Sequence, residues 1–491
     1  MSQCGKLSLV CLTALPLFYR LDMQNNTNVG HHDRSAMLHS RQIAWPLSSV
    51  AAGVLALTMV GAVAPAMAGA TAAPPGPVGT TPASGTPELS PRPNGHTEQI
   101  RQLVKCGRRM YAVGKFARIR QGGKVYIRHN AFSFLAAAPY TVSRWKPGAN
   151  GEVNSIAFRS GNCSSAYLGG SFTRVHKRSA RNIVKVSTST GRVREGFAHD
   201  ASRPVETLVV HTHHVLAGGF FKSINGSGRN YYASLNSRTG RDDRYLRLHI
   251  SGHYDFAGVI GNRTRVFNQQ LSPTGRRLLA EGDFTRVRGK HRQQIFMLTL
   301  RSGHTRVTRW RSTEFNQNCA DSTPFYIHAA SWSPDSRTIY VAATGEAPEG
   351  LSTSAPRTGL CDAASAFPSA DRAVSSNWIN YTGCDSLYST AADSNTAYFA
   401  GHERWANNTN GCNVAGPGST PAQGMVGLDP SNGSNIVWNP TRSQGVGADY
   451  MLITNQGLWI ASYNFVDSDG ARADKCATIP GHAGICFMPY N

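Results

Sequence analysis

The sequence predicts an all-β fold, a seven-bladed β-propeller of four-stranded blades. Three observations support this prediction: one short strand recurs seven times, apolar residues alternate with period two, and long helical periodicity is absent. The copies read YAVGKF, YLGGSF, LAGGFF, LAEGDF, YVAATG, YFAGHE and WIASYN, and they begin at residues 111, 167, 216, 279, 340, 398 and 459. Such spacing indicates one supersecondary unit stacked on copies of itself.

Each repeat can be divided into four strands separated by turn residues. A first strand precedes the recurring one, and in the fourth repeat the sequence FAGVI at 256–260 is assigned to it. The glycines of the recurring strand, such as Gly169 and Gly170, suggest an inner strand where backbones converge. We expect the phenylalanines that follow them to wedge between blades, at Phe116, Phe172, Phe221 and Phe284.

The N-terminal hundred residues differ from the repeats. Residues 1–36 show no targeting pattern, and the sequence favours Met37 as the true start. Residues 37–68 have a short polar start, an apolar run at 47–63 and the small-residue site Ala66-Met67-Ala68, which together predict a cleaved signal peptide. The alternative is an uncleaved membrane anchor. Residues 69–97 are rich in Pro, Ala, Gly and Thr, which predicts a disordered linker before the propeller of 98–491.

Charge is distributed unevenly along the chain. Residues 69–310 hold 38 Lys and Arg against 11 Asp and Glu, a net charge of +27, whereas residues 311–491 hold 8 against 15, a net charge of −7. This asymmetry suggests a polyanionic partner for the first half. The alternative is a solvated, arginine-rich surface without a specific partner.

Eight of the ten cysteines follow the predicted signal peptide, and an even number in an exported chain suggests disulfides. Cys106 and Cys163 occupy the same place in consecutive repeats, so adjacent blades would bring them together. Proximity along the chain suggests Cys319 with Cys361, Cys384 with Cys412, and Cys476 with Cys486. Zinc is the rival interpretation, but no CxxC pair is present, and we predict neither a metal nor a cofactor.

The recurring strands and their tails resemble delta-60 repeats, a bacterial β-propeller repeat family of unknown function. The resemblance rests on the tails FARI, FTRV, FKSI and FTRV and on the Arg-Asn pairs at 181–182 and 229–230. The stretch 376–460 resembles the C-terminal part of exported actinobacterial members. Repeat five lacks the Gly-Gly doublet, and Cys384 stands where the family commonly has Gly. The resemblance implies a propeller fold and an exported location, but no reaction.

The stretch HERWANN, which leaves the sixth recurring strand, is the first candidate site. A histidine, an arginine and a tryptophan together suit a sugar or an anion. The alternative is a structural loop. The candidate ligand-binding residues are His402, Arg404, Trp405, Asn407 and Asn408.

A basic rim is the second candidate site. Lysines and arginines recur in the loop after the second, third and fourth recurring strands, where a propeller would place them on one face. Arg181 and Arg229 have a structural alternative, because the family repeats the Arg-Asn pair. The candidate anion-binding residues are Lys177, Arg178, Arg181, Arg229, Lys290 and Arg292.

The sequence therefore predicts a secreted, monomeric binding or scaffold module for an extracellular or cell-wall polymer or a protein partner. The alternative function is a propeller hydrolase or lyase that acts on carbohydrate or peptide. No nucleophile elbow, phosphate-binding loop or dinucleotide fingerprint is present, and no catalytic residue is assigned. The chain lacks an aromatic and basic platform for nucleic acid, so we do not expect that partner.

Overall fold

A computed structural model describes residues 76–90, 98–253, 263–316, 319, 325–345, 359–438, 440, 448–466, 472–473 and 482–491. The predicted extension and signal peptide, 1–36 and 37–68, lie outside these ranges, as does Cys476. The described part is all-β, as predicted, and its one helix is the short 3-10 turn Thr313–Asn316. Within the described ranges, no helix has the length and apolar character needed to cross a membrane.

Seven antiparallel sheets follow one another along the described chain, and the main strands of each sheet pair in chain order. The first four sheets contain the strands Glu98–Cys106, Arg109–Lys115 and Ala131–Leu135; Val153–Arg159, Asn162–Gly170 and Ile183–Ser187; Val205–His211, His214–Gly219 and Tyr232–Asn236; and Arg265–Leu271, Arg277–Asp283, Ile295–Arg301 and His304–Val307. The other three contain Tyr326–Trp332, Thr338–Thr344, Ala363–Pro368 and Trp378–Tyr381; Leu387–Ala392, Ala397–Gly401 and Met425–Leu428; and Tyr450–Thr454, Gly457–Ala461 and Ile485–Pro489.

Short strand pairs lie in the loops between these strands. Two of the strands, Tyr463–Val466 and Arg472–Ala473, extend the first sheet at the edge of Glu98–Cys106. The others are Glu88–Leu89 with Arg118–Gln121 and Lys124–Ile127; Arg174–Val175 with Arg178–Ser179; Ile250–Ser251 with Arg286–Val287 and Lys290–His291; and Trp405–Ala406 with Thr420–Pro421.

The first strand of each sheet contacts the first strand of the next, and the first strand of the seventh sheet contacts that of the first. Apolar side chains fill the spaces between consecutive sheets. A further cluster joins the seventh sheet to the first, with Trp459 and Phe487 against Phe132 and Phe134. Each sheet thus buries both faces against its neighbours, which is how a repeat unit too small for its own core becomes stable.

The recurring strand is the second strand of its sheet, between the first and the third. The glycine that ends it lies close to the backbone of the first strand, so a Cβ on Gly219 would overlap the carbonyl oxygen of Pro204. A Cβ on Gly401 would likewise overlap the carbonyl oxygen of Ser386. The glycines therefore accommodate an irregularity in the neighbouring strand. The four phenylalanines are buried between sheets, as predicted.

Two further assignments differ from the sequence prediction. The first strand of the fourth sheet is Arg265–Leu271, whereas FAGVI at 256–260 lies outside the described residues. Four separate strands occur in the fourth and fifth sheets. In four other sheets a single bridge stands at the place of the fourth strand, at Val142, Val193, Asp242 and Asn435.

Residues 76–90, part of the predicted linker, lie against the seventh sheet and are not a free chain. Gly79 and Ala83 donate backbone hydrogen bonds to Pro489 and Phe487 at 2.7 and 2.8 Å. Val78 and Leu89 are buried. Composition predicted disorder because the segment has few apolar residues, but backbone pairing with a strand edge does not require apolar periodicity.

Three of the four predicted disulfides join described residues: Cys106 with Cys163, Cys319 with Cys361, and Cys384 with Cys412. The first links the first sheet to the second, as the matched repeat positions predicted. Cys476, the predicted partner of Cys486, falls outside the described ranges.

Candidate functional site

A β-bulge occurs at the same place in the first strand of the first six sheets. At each bulge the register between the first and second strands shifts by one residue, which bends the strand and leaves one residue without a cross-strand partner. In the seventh sheet Asp449 holds the corresponding place, because its N–H donates to Ala461, which also pairs with Tyr450. We call these seven residues the central ring: Arg101, Asn154, Glu206, Phe267, His328, Tyr388 and Asp449.

Two pairs of central-ring residues from consecutive sheets contact each other. Asn154 donates its Nδ2–H to Glu206 Oε2 at 3.2 Å, across the boundary between the second and third sheets. The aromatic side chains of His328 and Tyr388 meet edge to face, with centroids 4.8 Å apart. The charges of Glu206 and Asp449 both act on Arg101. The fold thus brings side chains from distant parts of the sequence into contact.

A second row of side chains orients the ring. Arg101 Nε donates to Glu152 Oε1 at 2.7 Å, and Gln99 Nε2 donates to Asp449 Oδ2 at 2.7 Å. The guanidinium of Arg265 lies 5.1 Å from the ring centroid of Phe220 and 5.2 Å from that of Phe267. Such contacts hold charged groups in fixed orientations.

Burial and neighbouring charges set the protonation of the ring. Burial raises the pKa of Glu206, and Arg265 and Arg101 offset part of that effect. Burial, with Arg265 and His402 nearby, lowers the pKa of His328 to about 4, so its imidazole is neutral at pH 7. Burial alone would lower the pKa of the Arg101 guanidinium. The nearby carboxylates, of which Glu152 has the largest effect, more than offset burial, so the pKa is raised.

Of the residues in the predicted HERWANN site, His402 reaches the central ring, with its Nδ1 3.1 Å from Tyr388 Oη. Arg404 forms a two-pronged ion pair with Asp385, with both distances 2.8 Å, and lies over the side chain of Trp405. Asn407 and Asn408 hold the loop, because their side-chain amides donate to Gly418 and Val414 carbonyls. The structure therefore separates one ring-facing histidine from a loop whose other polar groups already have protein partners.

The predicted basic rim divides into paired and exposed groups. Arg181 pairs with Asp200 at 2.7 Å, and Arg292 is buried and donates to the carbonyl oxygens of His291 and Thr308. Arg229 pairs with Asp242 at 2.6 Å. Lys177, Arg178 and Lys290 are exposed, and Arg178 lies 3.6 Å from Glu195 in an exposed ion pair.

The structure adds a basic cavity that sequence reasoning missed. This arginine pocket has a volume of about 610 Å³ and is lined by Arg229, Arg244, Arg247, Leu248, His249 and Arg288. A second cavity, of about 520 Å³, has Lys290, His291, Arg292, Arg309 and Arg311 in its wall. The strand pair Arg286–Val287 and Lys290–His291 separates the two cavities, with Arg288 on the turn between these strands.

A sequence signal for the central ring was present but was not used. The first strands contain the triplets Ile-Arg-Gln, Val-Asn-Ser, Val-Glu-Thr, Val-Phe-Asn, Ile-His-Ala and Leu-Tyr-Ser, in which a variable residue follows an aliphatic one. Aligning the first strands rather than the recurring second strands would have revealed it. No group of three or more His, Cys, Asp or Glu side chains in the described part of the chain is placed to hold a metal ion.

Comparison with known proteins finds β-propeller domains among similar solved structures. The β-propeller domain of Myceliophteria thermophila Cps50 (Swd1) is 9% identical, with a TM-score of 0.40 over 81% of this chain and 100% of that one. The computationally designed Ika8 protein is 10% identical, with a TM-score of 0.39 over 81% and 98%. The WD40 domain of Doa1 is 10% identical, with a TM-score of 0.38 over 79% and 95%. No family model and no curated protein matches the sequence.

Proposed function

We propose that this protein is an exported, seven-bladed β-propeller of the delta-60 repeat type that binds a polyanion of the cell wall or extracellular space at its arginine pocket. The export rests on the predicted signal peptide of 37–68 and agrees with three disulfides, which persist in oxidising compartments. The proposed activity is binding, without catalysis.

The contacts between sheets support seven blades. Each sheet is one blade, the first strands line the centre, and the apolar cluster between the seventh and first sheets closes the circle. Residues 76–90 supply the outermost strand of the seventh blade, beside Ile485–Pro489. The single bridges in four sheets are the shortened fourth strands of those blades.

The arginine pocket is the observation that carries the binding function. Arg244, Arg247 and Arg288 are exposed, and none of the three forms an ion pair with a described residue. Arg229 is the only arginine of this wall with a carboxylate partner among the described residues, Asp242. Several positive charges around one concave surface attract anions and accelerate their association. Arginine also matches the paired oxygens of phosphate and carboxylate groups.

The second cavity extends this basic surface. Lys290 and His291 are exposed beside it, and the strand pair that carries them also places Arg288 in the arginine pocket. A polymer with an anionic group on each unit can therefore occupy both cavities at once. Two linked contacts strengthen binding beyond either contact alone.

The test is binding of the chain from Gly69 to a glycerol-phosphate polymer, to polygalacturonate and to neutral dextran, at low and high salt. The double variant Arg244→Glu and Arg247→Glu should weaken binding of the anionic polymers at least about tenfold. The matched control is the double variant Arg238→Glu and Arg276→Glu, which changes the net charge by the same amount. Both residues lie on exposed turns of the third and fourth sheets, at the strand ends away from the arginine pocket.

The expected pattern is salt-sensitive capture of an anionic polymer that the pocket variant loses and the control variant keeps. Equal weakening by both double variants would show that net charge alone attracts the polymer, which overturns the pocket assignment. Absence of anionic-polymer binding by the unaltered chain would overturn the proposed function itself.

A further inference from the structure

The central ring has two chemically different sides. Because consecutive sheets are neighbours, Asp449, Arg101, Asn154 and Glu206 come from four adjoining sheets, the seventh, first, second and third. The remaining three positions, in the fourth, fifth and sixth sheets, are aromatic: Phe267, His328 and Tyr388. One side therefore offers planar hydrogen-bonding groups and the other offers the faces and edges of aromatic side chains.

The polar side is held in place before any ligand arrives. Arg101 is fixed by Glu152, Glu206 by Asn154, and Asp449 by Gln99. The central ring and the side chains that orient it contain two positive groups, Arg101 and Arg265. Their negative groups are Glu152, Glu206 and Asp449, and burial favours the neutral form of Glu206. Positive and negative groups thus nearly balance, so the ring does not favour a strongly charged ligand as the arginine pocket does.

The aromatic side is neutral and accessible. The pKa of His328 is lowered by burial to about 4, yet its side chain keeps solvent-accessible surface in the middle of a strand. Arg101 is likewise accessible, although its strand lies between two other first strands. Residues inside a fold that remain exposed line a space that solvent, and therefore a small ligand, can enter.

We propose that the central ring binds a neutral pyranose sugar unit. The apolar C–H face of a pyranose packs against the aromatic side, and its hydroxyl groups exchange hydrogen bonds with Arg101, Asn154, Glu206 and Asp449. A hydroxyl both donates and accepts, so it satisfies the mixed donors and acceptors of this side. The proposal is independent of the polyanion site, because the two share no residue.

The test uses calorimetry and ligand-observed NMR with the chain from Gly69. The probes are the methyl glycosides of glucose, mannose and galactose, with glucuronate and glucosamine as charged comparators. We expect at least one neutral glycoside to bind with an affinity that changes less than about twofold when salt is raised tenfold. Phe267→Ala and Asn154→Ala should each weaken binding about fivefold to tenfold.

Two further variants separate a binding defect from a folding defect. Tyr388→Phe removes only the hydroxyl group that contacts His402. This variant should have the melting temperature of the unaltered chain but should bind the sugar more weakly. The double variant Arg244→Glu and Arg247→Glu should bind the glycoside as the unaltered chain does. The proposal is overturned if no neutral glycoside binds at about 20 mM, a concentration that detects even weak sites. It is also overturned if only charged sugars bind, or if the variants Phe267→Ala and Asn154→Ala bind normally while folded.

Discussion

The backbone N–H of Val78 donates to Tyr398 Oη at 3.0 Å, joining residues 320 positions apart. Val78 is buried in the cluster between the sixth and seventh sheets, and Leu89 is buried in the cluster between the seventh and the first. The segment that precedes the repeats therefore spans the place where the last sheet meets the first. Backbone hydrogen bonds from Gly79 and Ala83 to Pro489 and Phe487 thus join the segment before the repeats to the last strand of the seventh sheet.

The segment 76–90 should accordingly be required for stability. Leu89→Ala removes a fully buried side chain and should lower the free energy of unfolding by about 2–5 kcal/mol, measured by chemical denaturation. The control Val125→Ala alters a side chain that is 53% exposed and should change that free energy by less than about 0.5 kcal/mol. If the two substitutions had equal effects, the segment would not contribute to the core.

The recurring strands and three cysteine pairs could be predicted because their signals are local or periodic. The recurring glycines were easy to find in the sequence, but the reason for them was not. Gly219 and Gly401 each accommodate a bulge in the neighbouring strand, 13 residues earlier in the sequence. The exposed arginines of the pocket were missed because no motif marks them. Arg244 and Arg247 lie in the connection between the third and fourth sheets, whereas Arg288 lies on the turn between Arg286–Val287 and Lys290–His291.

The disulfide between Cys106 and Cys163 should stabilise the contact between the first two sheets. It closes a loop of 57 residues, for which the chain-entropy model predicts a stabilisation of about 4 kcal/mol. The double variant Cys106→Ser and Cys163→Ser should therefore unfold at lower denaturant concentration. The slope against denaturant should be steeper, because the unfolded chain without the cross-link is less compact and exposes more surface. An unchanged midpoint would mean that the first two sheets are held by packing alone.

Glu281 should make the protein less stable as the pH rises. It is fully buried in the fourth sheet, Asn268 donates to its Oε2 at 3.1 Å, and burial raises its pKa to about 8. The folded chain keeps this proton up to about pH 8, whereas the unfolded chain releases it near the ordinary glutamate pKa of about 4.3. Between these values the folded state binds more protons, so its free energy of unfolding falls as the pH rises.

The effect can be isolated with Glu281→Gln, which keeps the shape and cannot ionise. Relative to this variant, the unaltered chain should lose roughly 3–5 kcal/mol of unfolding free energy between pH 5 and pH 9. Glu195→Gln, at an exposed position, is the control and should leave the pH profile unchanged. Parallel profiles for Glu281→Gln and the unaltered chain would contradict a buried, protonated carboxyl.

His328 should remain neutral well below the ordinary histidine pKa. Burial lowers its pKa to about 4, and the positive charge of Arg265 acts in the same direction. Between about pH 4 and pH 6.5 the unfolded chain binds a proton at this position that the folded chain does not, so stability falls as the pH falls through this window. NMR titration of the histidine carbons should give a midpoint near the lower value, and Arg265→Gln should raise it by removing a like charge. A midpoint near 6.5 that does not change in Arg265→Gln would show that neither burial nor Arg265 acts on His328, and would contradict this prediction.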